Sequence, residues 1–294
     1  MKSFKKPDGV ETERRLVALK DGRHLRLLII RPSVMSEPAA GVLWMHGGGY
    51  KTGFAEMAFL SRAIDLVTEC GAVLVCPNYT LSPIKPYPAA IKDCYAALLY
   101  MKKHAEDLNI RPDQLMAGGE SAGGGLTAAL CMLARDRGKV NIAYQMPLYP
   151  MLDCRDTPSS EHNTEKVWNT SRNHLAWKLY LRSLDGVGEI PCYASPARCT
   201  DHSGLPPAYT FVGDIEPFYC ETVEYIENLK AAGVPAEVDV YKGFYHAYDM
   251  FENDAPDARE AARVFVEHFR YAQEHYFAPQ PDLTEEDPDS DPSI

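Results

Sequence analysis

Two hydrophobic periods alternate along this chain. Short apolar runs at 41–45 "GVLWM", 72–78 "AVLVCPN", 114–118 "QLMAG", 142–149 "IAYQMPLY", 208–213 "AYTFVG" and 236–241 "AEVDVY" are rich in β-branched and aromatic residues. They predict strands buried on both faces. Between them, 87–108, 121–138, 217–233 and 256–276 repeat apolar residues at helical spacing, and 57–67 reads as an amphipathic helix. Alternation of this kind predicts an α/β fold, a mostly parallel central sheet with helices on both faces. Ahead of it, "RRLVALKDGRHLRLLIIRP" (14–32) reads as two strands joined at Asp21-Gly22, a hairpin.

Two segments break the pattern. Residues 153–205 are polar and helix-prone, and a connection of this length between strands predicts a small helical cap over a site. The end of the chain, 279–294, is acidic, proline-rich and without aromatics, which predicts disorder. The expected organisation is one domain over 1–278, with 153–205 as the inserted lid.

Charge narrows the partners. At net −11 and pI near 5.3, the chain repels nucleic acid and anionic membranes, leaving small neutral or cationic ligands. No apolar run is long enough to span a bilayer, and "MKSFKKPDGV" lacks the apolar stretch of a signal peptide, so the expectation is a cytoplasmic protein. The eight cysteines, at 70, 76, 94, 131, 154, 192, 199 and 220, lack the paired spacing of a zinc or redox motif and are read as free thiols.

The chemistry gathers at two glycine-rich turns. "GESAG" (119–123) places G-x-S-x-G between a predicted strand and a predicted helix, the context in which a sharp turn lifts a serine hydroxyl above a sheet. That makes Ser121 the candidate nucleophile. Upstream, "HGGG" (46–49) also follows a strand, where freed backbone N–H groups can hold the oxyanion formed when a serine attacks a carbonyl. Gly48, Gly49 and Ala122 are the candidate donors, with Gly47 in reserve.

A serine needs a base, and the base needs an acid. His246, just after the last strand, can reach the same sheet edge as Ser121; the other histidines fall in the hairpin, on helix surfaces or in the insertion, and His46 is read as shaping the glycine loop. The acid is expected after "AYTFVG", where Asp214 and Glu216 both satisfy the order serine, acid, histidine. Tyr50 and Phe54 beside the glycine loop, with Trp168, Trp177 and Tyr180 in the insertion, are candidates to line a substrate pocket, or else pack the lid onto the domain.

With these residues in place, the chain resembles the hormone-sensitive-lipase-like family of α/β-hydrolases, a group of carboxylesterases, over roughly 40–275. "HGGGYKTG" is similar to that family's HGGG-x-x-x-G, "GESAGG" to its G-D-S-A-G-G, and "FYHAY" to its x-H-G-F. "GLPPAYTFVGDIEPF" resembles the segment before its catalytic acid, and counting from "LPPA" the acid of its D-P-L triplet falls on Glu216. There are departures. Thr80 and Ile84 replace the arginine and glutamate of an ion-pair network, leaving Tyr79 and Asp93 as supports, and Ala247 replaces the glycine after the histidine.

The resemblance implies a serine carboxylesterase that needs no metal or organic cofactor and acts on a small-molecule ester. The N-terminal helical cap often seen in that family is shortened here, since the first strand begins within about fifteen residues of Met1, and a reduced cap favours short acyl chains. An amidase, peptidase or sugar deacetylase on the same triad, or a non-catalytic small-molecule-binding protein, are the competing readings. A homodimer through the last strand or helix is expected by analogy with such folds.

Overall fold

The computed structural model describes residues 4–186 and 188–282. One eight-stranded sheet organises them: β1 (Val10–Ala18), β2 (His24–Pro32), β3 (Ala39–Met45), β4 (Val73–Pro77), β5 (Ile110–Glu120), β6 (Tyr144–Leu148), β7 (Ala208–Gly213) and β8 (Ala236–Tyr241). Their order is β1-β2-β4-β3-β5-β6-β7-β8. β1 and β2 form the predicted hairpin, β2 pairs antiparallel with β4, and every pairing from β4 to β8 is parallel.

The helices are α1 (Ala63–Cys70), α2 (Ala89–Lys103), α3 (Ala105–Leu108), α4 (Ala122–Arg137), α5 (Thr170–Leu181), α6 (Tyr219–Ala231), α7 (Tyr248–Phe251) and α8 (Pro256–His275). Alternate residues of the strands feed two cores, as a period of two requires. Leu27, Ile29, Leu43 and Met45 face the side covered by α2, α4 and α6, whereas Leu28, Ile30, Val42 and Trp44 face α1 and α8. This is why β2 and β3 read as continuous apolar runs.

Several expectations change. The 57–67 helix is broken: a 3-10 turn at Ala55–Phe59 ends before α1 begins, and the break turns the Arg62 side chain inward to Asp65 and Asp249. β8 is an edge strand rather than a doubly buried one, with Val240 45% exposed. The 153–205 insertion holds a single helix longer than one turn, α5, capped by the Asn169 side chain on the Arg172 N–H. Cys192 and Cys199 are not free thiols but form a disulfide, because a 3-10 turn at Pro196–Arg198 folds the seven-residue spacing back to a Cα separation of 5.0 Å.

The beginning of the tail is also tied down. Asn141 and Lys102 donate to the carbonyls of Pro279 and Pro281 at 2.6 Å each, so 279–282 are held by the domain. The rest of the segment expected to be disordered, 283–294, lies outside the described residues.

Candidate active site

The parallel strands end on one edge of the sheet, the edge where open α/β sheets place their ligands. β5 delivers Ser121 there. Its φ of 59° and ψ of −119° put the residue in a sharp turn between strand and helix, held by its N–H to Leu148 O at 3.0 Å and by Met151 N–H to its own carbonyl at 3.0 Å. The flanking glycines are required by close approach. A Cβ on Gly123 would sit 2.6 Å from the Met45 carbonyl carbon and 2.7 Å from His46 O.

Two further loops from the same edge complete a relay. His246 Nε2 lies 2.9 Å from Ser121 Oγ, and its Nδ1 makes a short contact with Glu216 Oε2. All three side chains are buried, with Ser121 5% exposed. Glu216 Oε1 accepts the Gly213 N–H at 3.3 Å. Asp214, two residues away, points elsewhere and accepts the Gly243 N–H at 2.6 Å. Of the two acids that the sequence offers, the structure brings Glu216 to the histidine.

The glycine loop runs across the top of Ser121. Gly48 and Gly49 have φ of 114° and 60°, angles open to glycine and costly for most other residues. Among the described residues, the N–H groups of Gly48, Gly49 and Ala122 donate to no other group. The Gly47 N–H instead donates to Glu120 Oε1 at 3.3 Å. That makes Gly47 the support of the loop. Glu120 Oε2 also accepts from Trp44 Nε1 at 2.6 Å, and burial pushes its carboxyl up to about 8.

His46 shapes the loop from below. Its ring stacks on Tyr79 at 4.2 Å, its Nδ1 lies 2.7 Å from Gly47 O, and Tyr79 Oη donates to His46 O at 2.7 Å. Burial depresses its pKa to about 4. Asp93 keeps its cation although Thr80 stands where an arginine was expected. Arg23 at the β1–β2 turn donates to it at 2.9 Å, and Thr80 Oγ1 and N–H donate as well.

The aromatic candidates divide. Trp168 packs over Gly49 and lies 6.2 Å from the His246 ring, with Phe218 5.0 Å from the same ring. Tyr50 is buried, stacks on Tyr180 at 3.9 Å and donates to Met151 O, while Trp177 packs 5.7 Å from Tyr50, so these three join lid to domain. Phe54 is the exception to the sequence reading. It is 43% exposed and stacks on Phe4, beside Arg14 and Arg26 of the hairpin rather than Ser121.

Sequence reasoning missed the roles of Glu120 and of Arg62. Arg62 reaches Asp249, three residues after His246, through a buried pair at 3.2 Å, and steadies the segment that carries the histidine. Glu120 was detectable as a carboxylate beside the nucleophile; nothing local marks Arg62. Among the described residues, no cluster of three His, Cys, Asp or Glu side chains is suited to a metal, and no helix is long and apolar enough to cross a membrane.

Known proteins share this architecture. A family model described as alpha/beta hydrolase fold matches residues 42–250. Esterase LipI of Mycobacterium tuberculosis is 31% identical over 221 residues, covering 75% of this chain and 69% of its own. Carboxylesterase NlhH of the same organism is 31% identical over 236 residues, 78% of this chain and 73% of its own. Among solved structures, a bacterial heroin esterase superposes with a TM-score of 0.86 at 33% identity, over 92% of this chain and 86% of that one. A Pyrobaculum calidifontis esterase does so with a TM-score of 0.80 at 28% identity, over 89% and 85%.

Proposed function

The chain belongs to the α/β-hydrolase fold family and is a carboxylic ester hydrolase, and on that premise we propose that it cleaves short-chain acyl esters through a serine acyl-enzyme. The observation that carries this reading is the unbroken contact from Ser121 Oγ through the His246 ring to Glu216, beneath the N–H groups of the glycine loop.

Ester binding sets the acyl carbon near Ser121 Oγ. His246 Nε2 takes the hydroxyl proton as the oxygen attacks, while Glu216 holds the ring in the tautomer that keeps Nε2 free to accept. The carbonyl oxygen becomes an oxyanion, and Gly48, Gly49 and Ala122 donate to it, without reorganisation because the loop is already shaped by His46, Tyr79 and Glu120. Collapse returns the proton from His246 to the leaving alkoxide. Water then repeats the sequence on the acyl-serine, releasing the acid.

Crowding around the histidine supports a preference for short acyl groups. Trp168 and Phe218 both pack on His246, and Trp168 also packs against Gly49, so bulky rings border the approach to the histidine. Hydrolysis of p-nitrophenyl esters from acetate to palmitate, with Ser121→Ala alongside, tests the reading. Rates that peak at acetate to butyrate and vanish in Ser121→Ala are expected. A peak at palmitate removes the chain-length claim, and full activity in Ser121→Ala removes the mechanism. Faster turnover of matched anilides than of esters would favour an amidase on the same residues.

A further inference from the structure

A cavity of about 410 Å³ opens on the α2 side of the sheet, between the β1–β2 turn, residues 85–89 and α2. Its volume lies in the range of small-molecule sites. None of the groups that form the relay described above lines it. Its floor is apolar, built from Pro88, Ala96 and Leu99, and its charged lining sets five Lys and Arg side chains against Asp21 and Asp93.

The cations are what make the cavity selective. Arg23 is already committed to Asp93 and Asp21, at 2.9 and 2.7 Å, and Lys85 lies 3.6 Å from Asp21. Lys92 and Arg137 have no carboxylate partner among the described residues; the Arg137 guanidinium instead lies 5.3 Å over the Tyr95 ring at the cavity wall. Two cations without a carboxylate therefore stand beside the apolar part of the lining. A neutral apolar ligand would leave both cations unanswered, and a multiply charged hydrophilic anion would leave the floor wet. The ligand that satisfies both has one carboxylate and an apolar body.

We propose that this cavity binds a monocarboxylate with a short apolar tail, Lys92 and Arg137 holding the carboxylate and Leu99 and Ala96 receiving the tail. This does not depend on the esterase reading, because the test uses protein without the Ser121 hydroxyl.

Octanoate titrated calorimetrically into full-chain Ser121→Ala protein should bind saturably. Adding Lys92→Ala and Arg137→Ala should raise Kd at least tenfold, and so should Ala96→Trp alone, which fills the floor and keeps both charges. 1-Octanol, which has the tail without the charge, should bind at least tenfold more weakly than octanoate. The proposal is overturned if octanoate gives no saturable heat, if its Kd in the Lys92/Arg137 variant stays within twofold of the parent, or if octanol binds as tightly as octanoate. The two charge substitutions are at partly or fully exposed positions, so the result stands even where Ala96→Trp fails to fold.

Discussion

Replacing Gly49 by alanine tests the joint between glycine loop and lid directly. The added Cβ would lie 3.1 Å from Trp168 Cζ2 and 3.2 Å from Ala176 Cβ, and closer still to Trp168 Cη2. Carbon atoms rest about 3.5–4.0 Å apart, so the indole must retreat by roughly 1 Å. Forcing a methyl into packed surroundings costs about 1–3 kcal/mol. A further cost of about 1 kcal/mol arises because the φ of 60° is left-handed. The expected destabilisation is therefore about 2–4 kcal/mol, and where the loop rather than the indole yields by about 1 Å, the proposed oxyanion donor is misplaced and kcat falls roughly 100-fold. Urea denaturation and p-nitrophenyl butyrate kinetics measure the two effects. In a Trp168→Leu background the steric part should largely vanish, leaving about 1 kcal/mol of backbone strain and recovering about tenfold in kcat. Equal destabilisation in both backgrounds, to within about 0.5 kcal/mol, would refute the claim that loop and lid meet through this contact.

Other perturbations separate the remaining roles. Glu216→Gln should lower kcat by about 10³–10⁴, whereas Asp214→Asn, whose carboxylate only caps the Gly243 N–H, should stay within about twofold; the reverse order would exchange the two acids. His46 ties stability to pH. Its folded pKa of about 4 lies below the ordinary histidine value of 6.5, so the unfolded chain binds the extra proton first and stability falls as pH drops from about 6.5 to 4. The loss is about 3 kcal/mol, and His46→Gln should lack that component in denaturation curves at pH 7, 5.5 and 4. Arg23→Ala strands the buried Asp93 with only Thr80 as donor and should cost about 2 kcal/mol; in an Asp93→Asn background the same change should cost much less, and equal costs would mean that the pair is not coupled.

Much of this arrangement is legible from local pattern. Strand and helix periods give the sheet, and the two glycine turns, each after a strand, give Ser121 and the loop above it. The proposed triad acid needed more, since Asp214 and Glu216 sit on one short turn and only the count from "LPPA" separates them. What could not be read depends on partners distant in sequence. Arg23 meets Asp93 across 70 positions, so the substitution at Thr80 looked like the loss of an ion pair when the cation had only changed its source. Phe54 follows the glycine loop in sequence, but the chain turns there and hands its ring to Phe4. Cys192 and Cys199 lack any recognised spacing, and only the intervening 3-10 turn brings them together. Helical periodicity over 57–67 was real but could not register that a buried Arg62 interrupts it.

The docked start of the tail has a bearing on how the molecule can be presented on a surface. Ala278 N–H donates to Asp113 O near the beginning of β5, while Ser121 stands just past its end. Eight residue steps along the strand separate them, about 26 Å at the usual rise. A support or electrode linked at Asp282 would therefore meet the edge of the sheet opposite the serine. The reacting face would be turned to bulk solution, with the body of the domain as its spacer.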